Sequence, residues 1–193
     1  MTKKGQITIF IILAIVILIS GSLFFYFRSG STNKEVQIEK LIKNSVNSLP
    51  IKIFTESCLK EILDNGINLV SKQGGYYNTP PLSTNYLENR VAYFYYLEQN
   101  FVPPIDKIGA EISKYVTDNL NHCLNDFNTF KEQGIKVEWK IKNISVKITD
   151  ENVILSADLP IKIVDNGAEN TISDFLVTIN KKLKVFYDVS NEL

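Results

Sequence analysis

The hydrophobic pattern divides the chain into an apolar N-terminal segment and a longer amphipathic part. Residues 7–27 contain no charged side chain, and as a helix they would measure about 31 Å, close to the thickness of a bilayer's hydrocarbon core. Phe24, Phe25 and Tyr26 stand at the far end of this run, where membrane proteins place interfacial aromatic residues. The pattern predicts a transmembrane helix over residues 7–27, preceded by a short tail of residues 1–6.

A cleaved secretory signal is the alternative interpretation of this segment. Such signals have a shorter apolar region, about 7–15 residues long, which is followed by a cleavage site of small residues. Ser20, Gly21 and Ser22 form a weak cluster of that kind, but further apolar and aromatic residues follow it before Arg28. The length of the apolar run therefore favours an anchor that stays on the protein.

Beyond a linker and helix cap at residues 28–35, apolar residues recur at helical spacing. This spacing predicts helices over residues 36–49 and 51–71, and a long amphipathic helix over residues 104–127. We expect Pro50 to end or kink the first helix, because proline has no N–H to donate and its ring crowds the preceding turn.

Toward the C-terminus the period changes from helical to alternating, which is typical of strands. The alternation predicts an antiparallel β-meander of about four strands over residues 135–179, with a bulge or a sheet edge at Pro160. Asn166 and Gly167 predict a tight hairpin, since both residue types accept a positive φ. Helices followed by an antiparallel sheet predict a single α+β domain over residues 36–193.

The residues before the apolar run resemble a known processing signal. Lys3-Lys4-Gly5-Gln6, followed directly by an apolar helix, resembles the class III signal of archaeal type IV pilin-like proteins. The N-terminus is also similar to that of uncharacterised single-pass membrane proteins from small-genome archaea. The pilin-like resemblance implies that a prepilin peptidase cuts between Gly5 and Gln6 and that the retained helix packs against sister subunits. Phe10 departs from the pattern, because bacterial-type pilins carry an acidic residue at this fifth mature position.

Composition and charge exclude one class of partner and suggest an orientation. The chain has 21 basic and 21 acidic residues, and no face gathers lysine or arginine, so we expect no binding to nucleic acid. Lys3 and Lys4 form a basic cluster without acidic residues before the apolar run. This cluster favours an N-terminus inside the cell and a domain outside it. The predicted location is the cell membrane, with membrane lipid as the partner of the helix.

The two cysteines lie on the apolar faces of their predicted helices. Cys58 and Cys123 are too few for a disulfide-rich scaffold or for a zinc site made of four thiolates. If the two helices pack together and the domain faces an oxidising space, the thiols could form one structural bridge. The alternative is a pair of separate, buried free thiols, because cysteine is a common core residue.

No arrangement of residues predicts catalysis, a metal site or a cofactor. His122 stands beside Cys123, but neighbouring positions on a helix point in different directions, so the two side chains do not face each other. The chain has no glycine-rich phosphate loop in a strand-to-helix context. We therefore expect that the protein is not an enzyme. Asn143-Ile144-Ser145 is a glycosylation sequon in a predicted hairpin turn, and it would be accessible only in an exported domain.

Tyrosines supply the one candidate recognition surface. Tyr76 and Tyr77 lie in a loop rich in glycine and proline, and Tyr93 and Tyr95 lie in residues 91–97, whose composition predicts a strand. Exposed tyrosines can bind glycans, peptides or sister subunits, and the alternative is that they pack in the core.

Taken together, the sequence predicts a non-enzymatic, membrane-anchored cell-surface protein with a structural, adhesion or assembly role, in its sharper form pilin-like. The alternative function is a membrane-tethered module outside the cell that binds or senses a ligand through its tyrosine-rich loops.

Overall fold

The structure, a computed structural model, describes the backbone of residues 32–192 and the side chains of residues 48–191. The predicted tail, processing site and transmembrane helix lie outside the described residues. The chain divides into two compact units, Met1–Val46 and Asn47–Leu193, and the second unit contains every strand of the described residues. Among the helices of residues 32–192, none combines the length and the apolarity of a membrane span.

The described chain is α+β with antiparallel sheets, as predicted. The helices are α1 (Thr32–Lys72), α2 (Ile105–Leu124), α3 (Asn128–Lys131) and α4 (Leu183–Glu192), and a 3-10 turn, Asn125–Phe127, follows α2. Two small hairpins are formed by β1 (Ser83–Tyr86) with β2 (Asn89–Ala92) and by β3 (Tyr95–Tyr96) with β4 (Gln99–Asn100). The main sheet contains β5 (Lys136–Trp139), β6 (Asn143–Ile148), β7 (Val153–Asp165) and β8 (Ala168–Ile179).

Helix α1 replaces the two helices that the sequence predicts on either side of Pro50. The proline lies inside one continuous helix. Its missing N–H removes the bond to the carbonyl of Val46, which is a local cost. The next residues of the helix bury an apolar stripe that includes Ile51, Leu59 and Leu63, each fully shielded from solvent. Burial of such side chains contributes roughly 1.5–3 kcal/mol each, so the packing outweighs the local cost.

The main sheet is antiparallel, and β6, β7 and β8 follow one another as in the predicted meander, but β5 departs from it by pairing with β7 instead of β6. β7 pairs with β8 along one side, and on its other side it pairs with β6 near its start and with β5 near its end. β5 and β6 thus lie end to end at the same edge of the sheet, because β7 is long enough to hold both of them. The register shifts between Asp158 and Ile161, around Pro160, which confirms the predicted bulge.

The hairpin between β7 and β8 turns where the sequence predicts it. Asp165 is paired with Ala168, so the loop consists of Asn166 and Gly167 alone. Their φ angles are 46° and 82°, and a two-residue turn that matches the twist of the strands requires positive φ at both positions.

One continuous core lies between α1, α2 and one face of the main sheet. Alternate residues of β7 point into it, in agreement with the period of two along a strand. Side chains of α1 and α2 fill the space from the other side. The largest fully buried side chains of this core are Phe127, Ile51, Leu59, Leu63, Ile112, Leu120, Leu124, Leu155, Leu159, Ile161, Ile163 and Val70.

The two cysteines form the predicted bridge. Cys58 of α1 and Cys123 of α2 are joined as a disulfide, with their Cα atoms 5.9 Å apart. The alternative of two separate free thiols is therefore wrong. Beside the bridge, Phe54 of α1 packs edge-on against Phe127 and Phe130, at centroid distances of 5.8 and 5.6 Å. The disulfide closes a loop of 65 residues that contains both small hairpins.

Removal of the bridge should lower the free energy of unfolding. The double substitution Cys58→Ser and Cys123→Ser frees the unfolded chain from a loop of 65 residues. The chain-entropy relation gives a loss of about 4 kcal/mol. The midpoint of denaturant unfolding, followed by circular dichroism on the full chain in detergent, measures it. Ser57→Ala, at the exposed neighbouring position, should change stability by less than about 0.5 kcal/mol. An unchanged midpoint in the double variant would contradict a structural role.

Candidate functional site

The four tyrosines that the sequence predicts as a recognition surface fall into two environments, and the first pair is packed. Tyr77 lies edge-on against Tyr115 of α2, with ring centroids 5.3 Å apart. Its backbone N–H donates to a carboxylate oxygen of Glu111 at 3.1 Å. Tyr76, in the same turn, is partly buried. Tyr77 therefore serves packing, the alternative that the sequence left open.

Of the second pair, Tyr95 begins β3 of the second hairpin, and Tyr93 lies in the short connection between the two hairpins. Tyr93 and Tyr95 have 37% and 65% of their surfaces exposed. Residues 91–97, predicted as one strand, are instead divided between the end of β2, a bend and β3. The sequence did not reveal this division because each hairpin turns at a Leu-Glu pair. Such a pair lacks the glycine or asparagine that usually marks a two-residue hairpin turn.

The hairpins share a tip motif that the sequence patterns did not predict. We call residues 83–92 finger 1 and residues 95–100 finger 2. In finger 1 the register pairs Tyr86 with Asn89, and in finger 2 it pairs Tyr96 with Gln99. Each two-residue tip is thus a Leu-Glu pair that directly follows a tyrosine. The repeated Tyr-Leu-Glu, at 86–88 and again at 96–98, is the signal in the sequence that could have revealed the two fingers.

The leucines at the tips have an unfavourable backbone conformation. The φ angle is 52° at Leu87 and 47° at Leu97, and Glu98 follows with 61°. A side chain with a Cβ atom pays about 1–2 kcal/mol to occupy this left-handed region. The same chain uses Asn166 and Gly167 where a hairpin only has to turn. A strained leucine at both tips therefore points to a use of the leucine side chain itself.

The tips are also the most exposed apolar points of the described structure. Leu87 and Leu97 expose 84% and 77% of their surfaces, and Tyr86 exposes 67%. At finger 2 the rings of Tyr93 and Tyr96 lie against each other, with centroids 5.5 Å apart. Apolar side chains of this size are more often buried, and a group of them on the surface is typical of interaction sites, so the finger tips are the candidate recognition surface of the described residues.

The fingers are held at their bases by backbone hydrogen bonds. The N–H of Ala92 donates to the carbonyl of Gln73, at the end of α1, and the N–H of Tyr93 donates to the carbonyl of Leu82, each at 3.3 Å. The N–H of Phe101 donates to the carbonyl of Phe94 at 2.7 Å. Ala92 itself is buried. The tips are thus displayed from a fixed base.

A buried carboxylate ties the adjoining turn to α2. Glu111 is only 3% exposed, and it accepts hydrogen bonds from the N–H of Tyr77 and from Lys114, with Lys107 at 3.3 Å. Burial acts to raise the pKa of this carboxyl, but the hydrogen bonds from Lys114, Tyr77 and Lys107 outweigh it and lower the pKa. Glu111 is therefore an ionised structural group rather than a proton donor.

The remaining residues considered from the sequence offer no reactive arrangement. His122 is exposed, and Asn143 is the exposed first residue of β6, not part of a hairpin turn, because β6 pairs with β7 rather than with β5. Within residues 48–191, whose side chains the structure describes, no group of three or more histidine, cysteine or carboxylate side chains could hold a metal ion. No family model, curated protein or solved structure matches the chain. The geometry of the fingers is therefore the basis for a functional proposal.

Loss of the Glu111 carboxylate should destabilise the base of the fingers in a pH-dependent way. The folded-state pKa lies below the ordinary value of 4.5, so the stabilisation is complete above that pH and is lost as the pH falls through the folded-state pKa. Glu111→Gln should cost about 1–3 kcal/mol at pH 7 and flatten the decline of stability below pH 4.5.

Urea unfolding at several pH values measures this effect. The matched control Glu61→Gln, at an exposed position of α1, should change stability by less than about 0.5 kcal/mol. A Glu111→Gln variant whose stability falls below pH 4.5 as steeply as that of the parent would contradict this role.

Proposed function

We propose that the protein is a non-enzymatic, membrane-anchored cell-surface protein that recognises another protein through its two fingers. The observation that carries the proposal is the pair of exposed leucines at strained positions of the finger tips, Leu87 at φ 52° and Leu97 at φ 47°. Selection for stability alone would replace them with glycine or asparagine. Their retention in this conformation is explained if the leucines enter pockets of a partner.

The chemistry of the tips favours a protein as the partner. Tyrosine and leucine supply rigid apolar contact area, and tyrosine is enriched where binding energy concentrates at protein interfaces. Glu88 and Glu98 stand next to the leucines, with Arg90 as the only basic residue of the fingers. A complementary surface would have apolar pockets with basic residues around them.

The location outside the cell is supported by the disulfide. Cys58 and Cys123 are bridged, and such bonds persist in oxidising spaces and are rare in the cytosol. This agrees with the orientation favoured by Lys3 and Lys4, which stand before the apolar segment of residues 7–27.

The fingers follow a long helical segment of the second unit. The part of α1 that belongs to the second unit, residues 47–72, is roughly 39 Å long, from a rise of about 1.5 Å per residue. The fingers are attached through Gln73 and Ala92 at the C-terminal end of this helix. The base of finger 1 thus lies beside the end of α1 that is remote from residue 47, where the second unit begins.

A pilin-like role is the second candidate, favoured by Lys3-Lys4-Gly5-Gln6 before the apolar segment. In that role the N-terminal helix packs with sister subunits after a prepilin peptidase has cut the chain. Position 10 carries Phe10 instead of an acidic residue, and this departure weakens the case for filament assembly more than the case for membrane insertion.

Binding through the tips should be lost when the leucines are removed. The full chain in nanodiscs is used to select binders from a library of displayed random peptides. We expect enriched peptides that combine apolar and basic residues. The double variant Leu87→Gly and Leu97→Gly should bind them at least about tenfold more weakly while its thermal stability is unchanged or higher, because glycine relieves the positive φ.

The control for this experiment is another exposed apolar residue. Phe186→Ala, on α4, removes a side chain with 75% of its surface exposed and should leave peptide binding unchanged. Equal binding by the parent and the double glycine variant would refute the role of the fingers.

The mass of the mature protein tests the anchor. Protein purified from membranes with detergent should retain residues 7–27, and its N-terminus should be Gln6 if a prepilin peptidase acts, or Met1 if the helix is a simple anchor. Intact-protein mass spectrometry distinguishes the two forms. The substitution Gly5→Arg removes the small residue before the predicted cut. If a prepilin peptidase acts on the parent, this variant should not be cut and should keep Met1 to Gly5→Arg in its measured mass. A mature chain that begins after residue 27, or release of the protein without detergent, would contradict the anchor.

A further inference from the structure

One edge of the main sheet is covered by a helix, and the other is not paired with a strand of the described residues. At one edge, α2 packs against β6: the Ser113 hydroxyl oxygen accepts the N–H of Val146 at 2.9 Å, and a Cβ atom on Gly109 would come within 2.7 Å of the Val146 carbonyl oxygen. Glycine at 109 is what allows this close approach. Covering of this kind protects a sheet edge from pairing with other chains.

The opposite edge is formed by β8, and it is open. β8 pairs with β7 from Ala168 to Ile179, and within the described residues no strand pairs with its other side. β8 contains neither lysine nor proline, the residues that commonly block an edge strand. A strand of 12 residues with free backbone groups is a template for another strand.

The register shows which backbone groups of β8 point outward. The N–H of Val146 donates to Ser113 rather than to β7, so Val146 and Leu155 form a pair without mutual hydrogen bonds. The backbone groups of Leu155 then face β8, where its partner is Val177. Because direction alternates along a strand, the N–H and C=O groups of Leu176 face away from β7.

Leu176 also places an exposed apolar side chain at the open edge. It exposes 67% of its surface, and it is the only large hydrophobic residue of β5–β8 that is exposed. Its neighbours in β8, Phe175 and Val177, are buried on the opposite face of the sheet. The segment around Leu176 therefore offers free backbone groups and an apolar side chain at the same place.

We infer that β8 pairs antiparallel with β8 of a second copy of this chain, centred on Leu176. In this register Leu176 lies opposite Leu176 of the copy, and Asp174 lies opposite Thr178. Up to about six backbone hydrogen bonds form, since these three positions all direct their groups outward. The two copies form one continuous sheet across a two-fold axis.

Symmetric pairings could be centred on Asp174, Leu176 or Thr178, and the residues that they place opposite each other favour the one centred on Leu176. A pairing centred on Asp174 would place two aspartates opposite each other, which is unfavourable in a sheet. A pairing centred on Thr178 would leave Leu176 opposite Asn180. The register centred on Leu176 opposes no like charges and buries the exposed leucine against itself. This inference goes beyond the proposed function and does not depend on it, because the fingers take no part in the contact.

Single cysteines test the register on the full chain in detergent micelles. Cys58 and Cys123 are bridged, so Leu176→Cys introduces a lone thiol. Mild oxidation should join two copies covalently, as seen on a non-reducing gel. Asp174→Cys and Thr178→Cys should each remain monomeric on that gel when oxidised alone, and should form mixed dimers when the two variants are combined. No crosslinking of Leu176→Cys, or efficient crosslinking of Thr178→Cys alone, would overturn the inference.

Charged substitutions test the association without crosslinking. Leu176→Lys places like charges opposite each other, so light scattering should show a dimer that is roughly tenfold weaker. Thr178→Lys adds the same charge two residues away, but it faces Asp174 of the copy and should preserve the dimer. Because both side chains are exposed, circular dichroism spectra should match the parent. A parent that is monomeric at all concentrations, or equal weakening by both lysines, would refute the pairing.

Discussion

The contact between α1 and α2 is the constraint on which the rest of the structure depends. The bridge between Cys58 and Cys123 holds the two helices together at 5.9 Å between Cα atoms, and the Phe54, Phe127 and Phe130 rings pack beside it. These helices cover one face of the main sheet. The segment between them, including both fingers, begins at one helix and ends at the other. The geometry of the finger bases is therefore fixed by the same packing that closes the core.

That packing explains how much of the fold the sequence could predict. The amphipathic pattern of α2, the alternation along β7 and the turn at Asn166 and Gly167 are local signals, and the structure confirms each of them. The continuity of α1 through Pro50 was not predictable, since proline is a strong local breaker and only burial of the following turns outweighs it. The end-to-end arrangement of β5 and β6 depends on the length of β7, which no local pattern fixes.

The candidate site was predicted only in part, for a related reason. Composition indicated that tyrosines matter, but it could not separate Tyr77, which packs on Tyr115, from Tyr95, which is exposed. That distinction depends on long-range contacts such as the hydrogen bond from Tyr77 to Glu111. The finger turns were not predicted because they consist of leucine and glutamate, whereas two-residue turns usually contain glycine or asparagine. The exception to the turn rule is thus the most informative local feature of the site, since sequences depart from such rules where function requires it.

The distribution of strain agrees with this interpretation of the site. Two kinds of tight turn occur in one chain: Asn166 and Gly167 adopt positive φ at little cost, whereas Leu87 and Leu97 adopt it at a cost of about 1–2 kcal/mol each. A domain stable by about 5–15 kcal/mol can carry such a cost only if its core is secure. Here the core between the helices and the sheet excludes the fingers, whose tips are exposed. The buried core and the exposed tips therefore belong to separate parts of the chain. The leucines at the finger tips can remain strained and exposed because the bridged helices and the buried face of β7 hold the fold without them.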